Sequence, residues 1–261
     1  MKVNYWRQHG LLLRGLVQRD MQERYRGTCL GILWLLIQPL FLLMLYTLVF
    51  GEILQLRFTD TASTPIFAFY LFAGLLVFNA FSEVLNRAPS LLPEQRDLLL
   101  NTPLSPWLLP LLPVGTSILL EWFGVLILLL GAGIGHHFEP WGLLLYWPYF
   151  LLRVLLSTAA AYTCAVLGVF LRDLRQLVPA LLSILLFLSP IFYPLERIPE
   201  RFQFLYHWNV LGQLVQGYRE SLLEGVFVWQ RFAGLWVVAV LSLSGALWLF
   251  HSLMPKARLV L

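Results

Sequence analysis

The chain has 261 residues, of which 59% are hydrophobic, 15% aromatic and only 12% charged, with a mean hydropathy of +0.75. A soluble domain carries about 25% charged residues, so this balance excludes a soluble globular protein and places the chain in the membrane class. The formal net charge of +4 is too small for a nucleic-acid footprint, no nucleic acid is expected as a partner, and the cations are read by the side of the membrane on which they fall.

The first 20 residues hold no long apolar stretch ending in small residues, so no cleavable signal is expected. Residues 1–29 carry Lys2, Arg7, Arg14, Arg19, Arg24 and Arg26. Within 5–25, Leu13, Leu16, Val17, Met21 and Tyr25 fall near helical spacing. The segment reads either as an amphipathic helix along the inner surface or as an ordinary positive anchor. A first apolar run covers 30–50 and contains Gln38 and Pro39 near its middle.

A second run covers 66–85, followed by an expected loop over 86–106. A third, 107–133, ends in Gly131, Gly133 and Gly135, which read as small packing residues, because a nucleotide fingerprint needs a strand before it. His136 and His137 are adjacent in a short loop and read as solvent-facing. The fourth run is 142–170 and the fifth 177–194, where Pro190 and Pro194 break the pattern. The connection 195–231 is too polar to span. Its Leu211, Leu214, Val215, Tyr218 and Leu222 nevertheless follow helical spacing, with Gln213, Gln216, Arg219 and Glu220 on other faces. It reads as an amphipathic helix on the outer face or dipping partly into the membrane. A sixth run, 232–254, precedes the tail 255–261.

Each run is too long for a strand and close to the ~20 residues of a spanning helix. The expectation is an all-α integral membrane protein with six transmembrane helices over 30–254, including the outer gate segment 195–231. With six spans, the N-terminal segment, 86–106, 171–176 and the tail share one side and hold twelve of the Lys and Arg residues. The other side has Arg57, Arg197, Arg201, Arg219 and Arg231. Both termini are therefore placed in the cytoplasm.

Two charges lie far inside spans. Glu121 is 12 residues inward of Gly133, roughly 18 Å, and Arg153 is 11 residues inward of Gly142, roughly 16 Å. Both are near the midplane of a ~30 Å core. A lone charge there costs about 2.5–3.5 kcal/mol on insertion scales, so a Glu121–Arg153 pair is expected. The rival reading sends one of them into a channel.

No G-x-x-x-x-G-K-[ST] loop occurs, and the only lysines are Lys2 and Lys256. No H-E-x-x-H pair and no hydrolytic triad can be assembled, so the chain is not expected to be an enzyme. Cys29 and Cys164 lie in apolar runs and imply neither a disulfide nor a metal framework.

The stretch "RDMQERYRGTCLGILWLLIQPLFLLMLYTLVFG" resembles the membrane subunit of ABC transporters of the type-2 permease family, in particular the branch exporting lipid-linked polysaccharides such as O-antigen and teichoic acid. The likeness is carried by Arg19, Asp20, Arg24, Tyr25, Arg26, Gly27, Leu30, Gly31, Trp34, Pro39 and the Tyr46–Thr47 ending. "FLRDLRQLVPALLSILLFLSPIFYPLERIPE" is similar to that family's fifth span, and "WNVLGQLVQGYRESLLEG" to its following block, with Val210 where proline is usual. The resemblance implies a homodimer in the bacterial inner membrane with two copies of a cytoplasmic ABC ATPase. ATP and Mg would be used by that partner, and no cofactor would be bound by this chain. It implies a cytoplasmic amphipathic helix before span 1, short outer gate helices between spans 5 and 6, and a lipid-linked polysaccharide as substrate, in contact with membrane lipid. A type-2 permease for a small hydrophobic drug or lipid is the alternative, and a membrane glycan transferase a third reading that lacks converging carboxylates.

On that resemblance, Trp34, Gln38, Tyr46, Phe187, Phe192 and Tyr193 are candidates to line the channel. Pro190, Pro194, Trp208, Asn209 and Arg219 are candidates for the gate. Arg14, Asp20, Arg24, Glu94, Arg96 and Asp97 are candidates for coupling to the ATPase. A kinked first span with an interior amide suits a helix lining a wet path, where freed backbone groups are satisfied; a kinked packing helix with Gln38 bonded to a neighbour is the plainer reading.

Overall fold

A computed structural model describes residues 2–53, 64–101, 105–134, 141–195 and 198–260. Arg57, Gly135, His136, His137, Glu196 and Arg197 lie outside the described residues. Among the described residues every regular element is helical, as uninterrupted apolar sequence in lipid requires, since only a helix or closed barrel satisfies its own backbone there.

Helix α1 covers Lys2–Tyr25, and Gly27 and Gly31, both at positive φ (82° and 51°), turn the chain into the next helix. A left-handed backbone is where glycine carries no Cβ penalty. α2 (Trp34–Tyr46) contains Pro39 and loosens into a π turn over Thr47–Ile53. α3 (Thr64–Glu94) is followed by α4 (Arg96–Asn101), α5 (Leu111–Ile134), α6 (Gly142–Phe170) and α7 (Leu174–Leu188). Two short helices, α8 (Gln203–Trp208) and α9 (Val210–Arg219, with a π turn to Glu224), precede α10 (Trp229–Val260).

Four stretches are long and apolar enough to cross a membrane: Phe67–Glu94, Pro106–Gly131, Gly142–Phe170 and Trp229–Val260. The first and fifth expected spans are shorter. α2 has 13 residues. α7 has 15, about 22 Å at 1.5 Å per residue against a hydrocarbon core of ~30 Å. α7 stops because Ser189 precedes Pro190 and takes an extended conformation, ψ 141°, as a residue before proline tends to. The expected 86–106 loop is also corrected, for most of it is helical. Leu91, Leu92 and Leu99 bury themselves with Leu109, Tyr162, Val166 and Phe250 in a second core cluster, and that packing carries α3 on to Glu94.

α3 and α6 form the centre of the bundle. α3 packs on α5, α6, α7 and α9, and α6 packs on α10. The spanning stretch of α3 is 56% buried and that of α10 only 17%, so α10 is peripheral. The α3–α6 crossing needs Gly168: a Cβ there would stand 2.1 Å from the Pro89 carbonyl oxygen. The bundle thus has an α1 end, with the C-termini of α3, α6 and α10, and a far end, with the N-termini of those three helices.

Candidate functional site

Beyond α7 the backbone leaves the helix while still inside the bundle. Pro190, Ile191 and Phe192 are buried. α8 and α9 then form a re-entrant hairpin. Gly217 lies against Tyr149, 7 residues from the far end of α6, about 10 Å along its axis. Leu211 faces the same cleft as Ala160, 18 residues from that end, about 27 Å. The helix therefore dips deeply rather than lying on the outside. Leu211, Leu214, Val215, Tyr218 and Leu222 are all buried. At the elbow, Asn209 Oδ1 accepts from the Gly212 N–H at 2.9 Å, and its Nδ2 donates to Ser189 Oγ at 3.0 Å. One amide therefore caps α9 and ties the elbow to the broken end of α7.

Arg219, which its spacing puts off the apolar face, is nevertheless buried. Its Nε donates to the Tyr70 carbonyl at 2.9 Å, Nη1 to the Pro190 carbonyl at 2.5 Å and Nη2 to the Ile191 carbonyl at 2.7 Å. Non-helical backbone at membrane depth must be satisfied by protein, and the guanidinium fork supplies several donors from one side chain. Gly74 makes room for it, since a Cβ there would sit 3.0 Å from Nη2. Glu220 is buried as well, accepting from Arg231 Nη1, and Tyr70 Oη donates to Glu224 at 2.6 Å.

One residue before Arg219, Tyr218 joins a second polar centre. Glu121 Oε2 accepts from Arg153 Nη2, and both side chains are wholly buried. Arg153 Nη1 donates to Ser117 Oγ at 2.9 Å. Tyr218 and Tyr146 donate their hydroxyls to Glu121 Oε1 at 2.5 and 3.1 Å, and Arg153 stacks over the Phe150 ring. The pair ties α5, α6 and α9 together. It offers no nucleophile positioned against a base, and its chemistry is that of a structural joint.

At the α1 end, both Nη groups of Arg87 donate to Asp20, which also accepts from Thr116 Oγ1 at 3.0 Å. Arg24 donates to Glu83 through Nη1 at 2.5 Å and Nη2 at 3.2 Å. Val17 packs where a Cβ on Gly115 would stand. These contacts staple α1 to α3 and α5. Beside them a groove of about 210 Å³ runs between α2, α3 and α5. Trp34 and Gln38 line it from α2 and Asn79 and Glu83 from α3, with Arg24 beside them. Ring, amide and carboxylate groups in one recess are suited to holding a hydroxyl-rich molecule by stacking and hydrogen bonds.

The structure thus brings Trp34, Gln38 and Arg24 to one groove, with Asp20 in the adjoining staple. Phe187, near the end of α7, and Tyr193, in the segment past it, stand apart from that groove, and Tyr193 Oη donates to the Phe187 carbonyl at 3.0 Å. Phe192, expected to line a channel, is buried at 3% exposure and presents no face to a path at the protomer surface. Tyr46 closes α2. Pro190 and Pro194 are buried and Trp208 is 84% exposed. Arg14, Glu94, Arg96 and Asp97 are exposed. Glu83, Arg87, Thr116 and Tyr218 escaped the sequence reading. The first two were legible as an i, i+4 charge pair at a span's end; Tyr218 was legible only as a member of the apolar face of α9, not as a hydroxyl donor. Among the described residues no group of three or more His, Cys, Asp or Glu could hold a metal ion.

Residues 12–223 match the ABC-2 type transporter family. The chain is 32% identical over 190 residues to the O-antigen export system permease protein RfbA of Myxococcus xanthus, covering 72% of this chain and 70% of that protein. It is 27% identical over 215 residues to the polysialic acid transport protein KpsM of Escherichia coli, covering 82% and 81%. It is 22% identical over 250 residues to RfbA of Klebsiella pneumoniae, covering 93% and 92%.

Proposed function

Because the chain belongs to the ABC-2 type transporter family, we propose that it is the membrane permease subunit of an ATP-driven exporter of polysaccharide, with a lipid-linked glycan as cargo. The names of the relatives, O-antigen export and polysialic acid transport, support the cargo class. The observation that carries the reading is the groove between α2, α3 and α5, where Trp34, Gln38, Asn79 and Glu83 line one recess. An intramembrane amide beside a carboxylate supports a path for a polar cargo, more than one for an apolar drug or lipid.

In this reading the permease is a multi-pass protein of the bacterial inner membrane with six spans. α2 with its π turn and α7 with the segment to Pro194 complete the four longer helices. The α1 end is cytoplasmic, in keeping with its excess of arginine, and α1 lies along the inner surface. Two chains pair, and two copies of a separate ATPase bind below, using ATP and Mg; the absence of a phosphate loop from the sequence supports that division. Closure of the ATPases pushes α1 and the α3–α4 corner. The Asp20–Arg87 and Arg24–Glu83 contacts pass that movement to α3 and α5, and the hairpin of α8 and α9 serves as the outer gate.

The test is export by cells carrying the chain with Trp34→Ala or Gln38→Leu. The expected result is normal membrane level of the permease, reduced surface polysaccharide and glycan accumulated inside. Undiminished surface polysaccharide in both variants would remove the groove from the path.

A further inference from the structure

A cleft larger than the groove just discussed lies away from it. It has a volume of about 760 Å³ and opens between α6, α10 and the underside of the α8–α9 elbow. Ala159 and Ala160 of α6, Phe81 of α3, Leu188 of α7, Val238 of α10 and Trp208 of α8 line it below the elbow. Val238 and Ser242 stand 9 and 13 residues from the far end of α10, about 14 and 20 Å along the axis. The opening therefore lies at hydrocarbon depth.

Three observations say what fills it. The volume falls in the ~300–1,000 Å³ range of ligand pockets. The lining is mostly apolar, with Thr163, Asn209 and Ser242 as its polar members, so water gains little there. Its rim continues into the outward surface of α10, the least buried of the four long spans, where Val237, Leu241 and Trp248 are exposed. Exposed apolar side chains at that depth suit contact with acyl chains.

We propose that this cleft seats an acyl chain of a bilayer phospholipid, which braces the elbow of the α8–α9 hairpin from below. Trp208 of the lining, with its ring largely exposed, has the amphipathic form found at lipid-facing sites. The small side chains of Ala159 and Ala160 leave the space, and Leu211 and Leu214 of α9 form the roof. The chain stands where side chains would otherwise have to, so the hairpin's packing depends on the bilayer.

The test uses the full chain in nanodiscs of phosphatidylethanolamine and phosphatidylglycerol carrying a diazirine on one acyl chain. After photolysis, mass spectrometry is expected to place adducts on 156–164 and 204–214, as well as on exposed α10 positions such as Trp248. Ala160→Phe fills the cleft and should lower the 156–164 and 204–214 adducts severalfold while leaving those near Trp248 unchanged. Val238→Phe, which narrows the mouth instead, should do the same, and elution as a single folded species is required of whichever variant is read. Equal labelling of the two regions in wild type and variants overturns the proposal. So does labelling confined to α10. Cross-linking of Cys164 between two copies would overturn it too, by showing that a second chain occupies the cleft. None of these results depends on the cargo.

Discussion

Replacing Arg219 by methionine keeps much of the side chain's length and apolar stem but removes every donor. The Tyr70 carbonyl belongs to α3 and can keep a helical partner, whereas the Pro190 and Ile191 carbonyls lie past the end of α7 and depend on the guanidinium at 2.5 and 2.7 Å. A hydrogen bond to a charged group contributes about 1.5–3 kcal/mol, so losing two leaves the segment after α7 weaker by about 3–6 kcal/mol. Even the lower figure raises the fraction of locally opened segment on the order of a hundredfold. The assay is thiol labelling at Phe192→Cys in a background lacking Cys29 and Cys164, together with a thermal melt of the purified chain. Labelling should be slow with Arg219, fast with Arg219→Met and intermediate with Arg219→Lys, whose single ammonium cannot fork to carbonyls on both sides. If Arg219→Met melts at the native temperature and its cysteine stays unreactive, the guanidinium is not what holds the broken span.

Glu121→Gln and Arg153→Gln should each lower the yield of folded protein, since stranding one member of a buried pair costs about 3–5 kcal/mol. The double variant should lose less than the two losses combined, and strict additivity would refute the coupling. Gly168→Ala should prevent stable accumulation, because its Cβ would meet Pro89 backbone atoms at 2.1–2.7 Å, whereas Gly245→Ala, with nothing within 4 Å, should be tolerated; equal yields would refute the crossing. Asp20→Asn weakens the contact with Arg87 and should speed labelling of Met21→Cys, which is buried in the native chain. An unchanged rate would mean α1 is held by packing alone.

Features with a period or a depth were legible in the sequence. The buried face of α9 followed from the spacing of Leu211, Leu214, Val215, Tyr218 and Leu222, because burial on a helix repeats with its turn. Equal depth put Glu121 opposite Arg153. Features that depend on backbone groups were not legible. The spacing put Arg219 off the apolar face without revealing its burial, because its partners are carbonyls, and a carbonyl has no letter of its own. The break at Pro190 was legible as a proline, but the run to 194 overstated the span because hydropathy continues through Pro190, Ile191 and Phe192 after the helix has ended. The groove beside α2 was half visible: Gln38 stood out in an apolar run, but the α3 wall facing it is a matter of rotation that a single sequence leaves open.

The contacts that hold α1 also carry a direction. Asp20 and Arg24 are one turn apart on α1, and Glu83 and Arg87 one turn apart on α3. The contacts made are Asp20 with Arg87 and Arg24 with Glu83. Both helices read negative then positive, so opposite signs meet only when the two run in opposite directions. Turned the other way, carboxylate would face carboxylate and guanidinium would face guanidinium, and the pairing that stabilises the fold would oppose it. Two pairs of side chains thus encode which way the first helix must double back, and exchanging Asp20 with Arg24 would write the reverse instruction into a chain whose glycine turn at 27–31 cannot obey it.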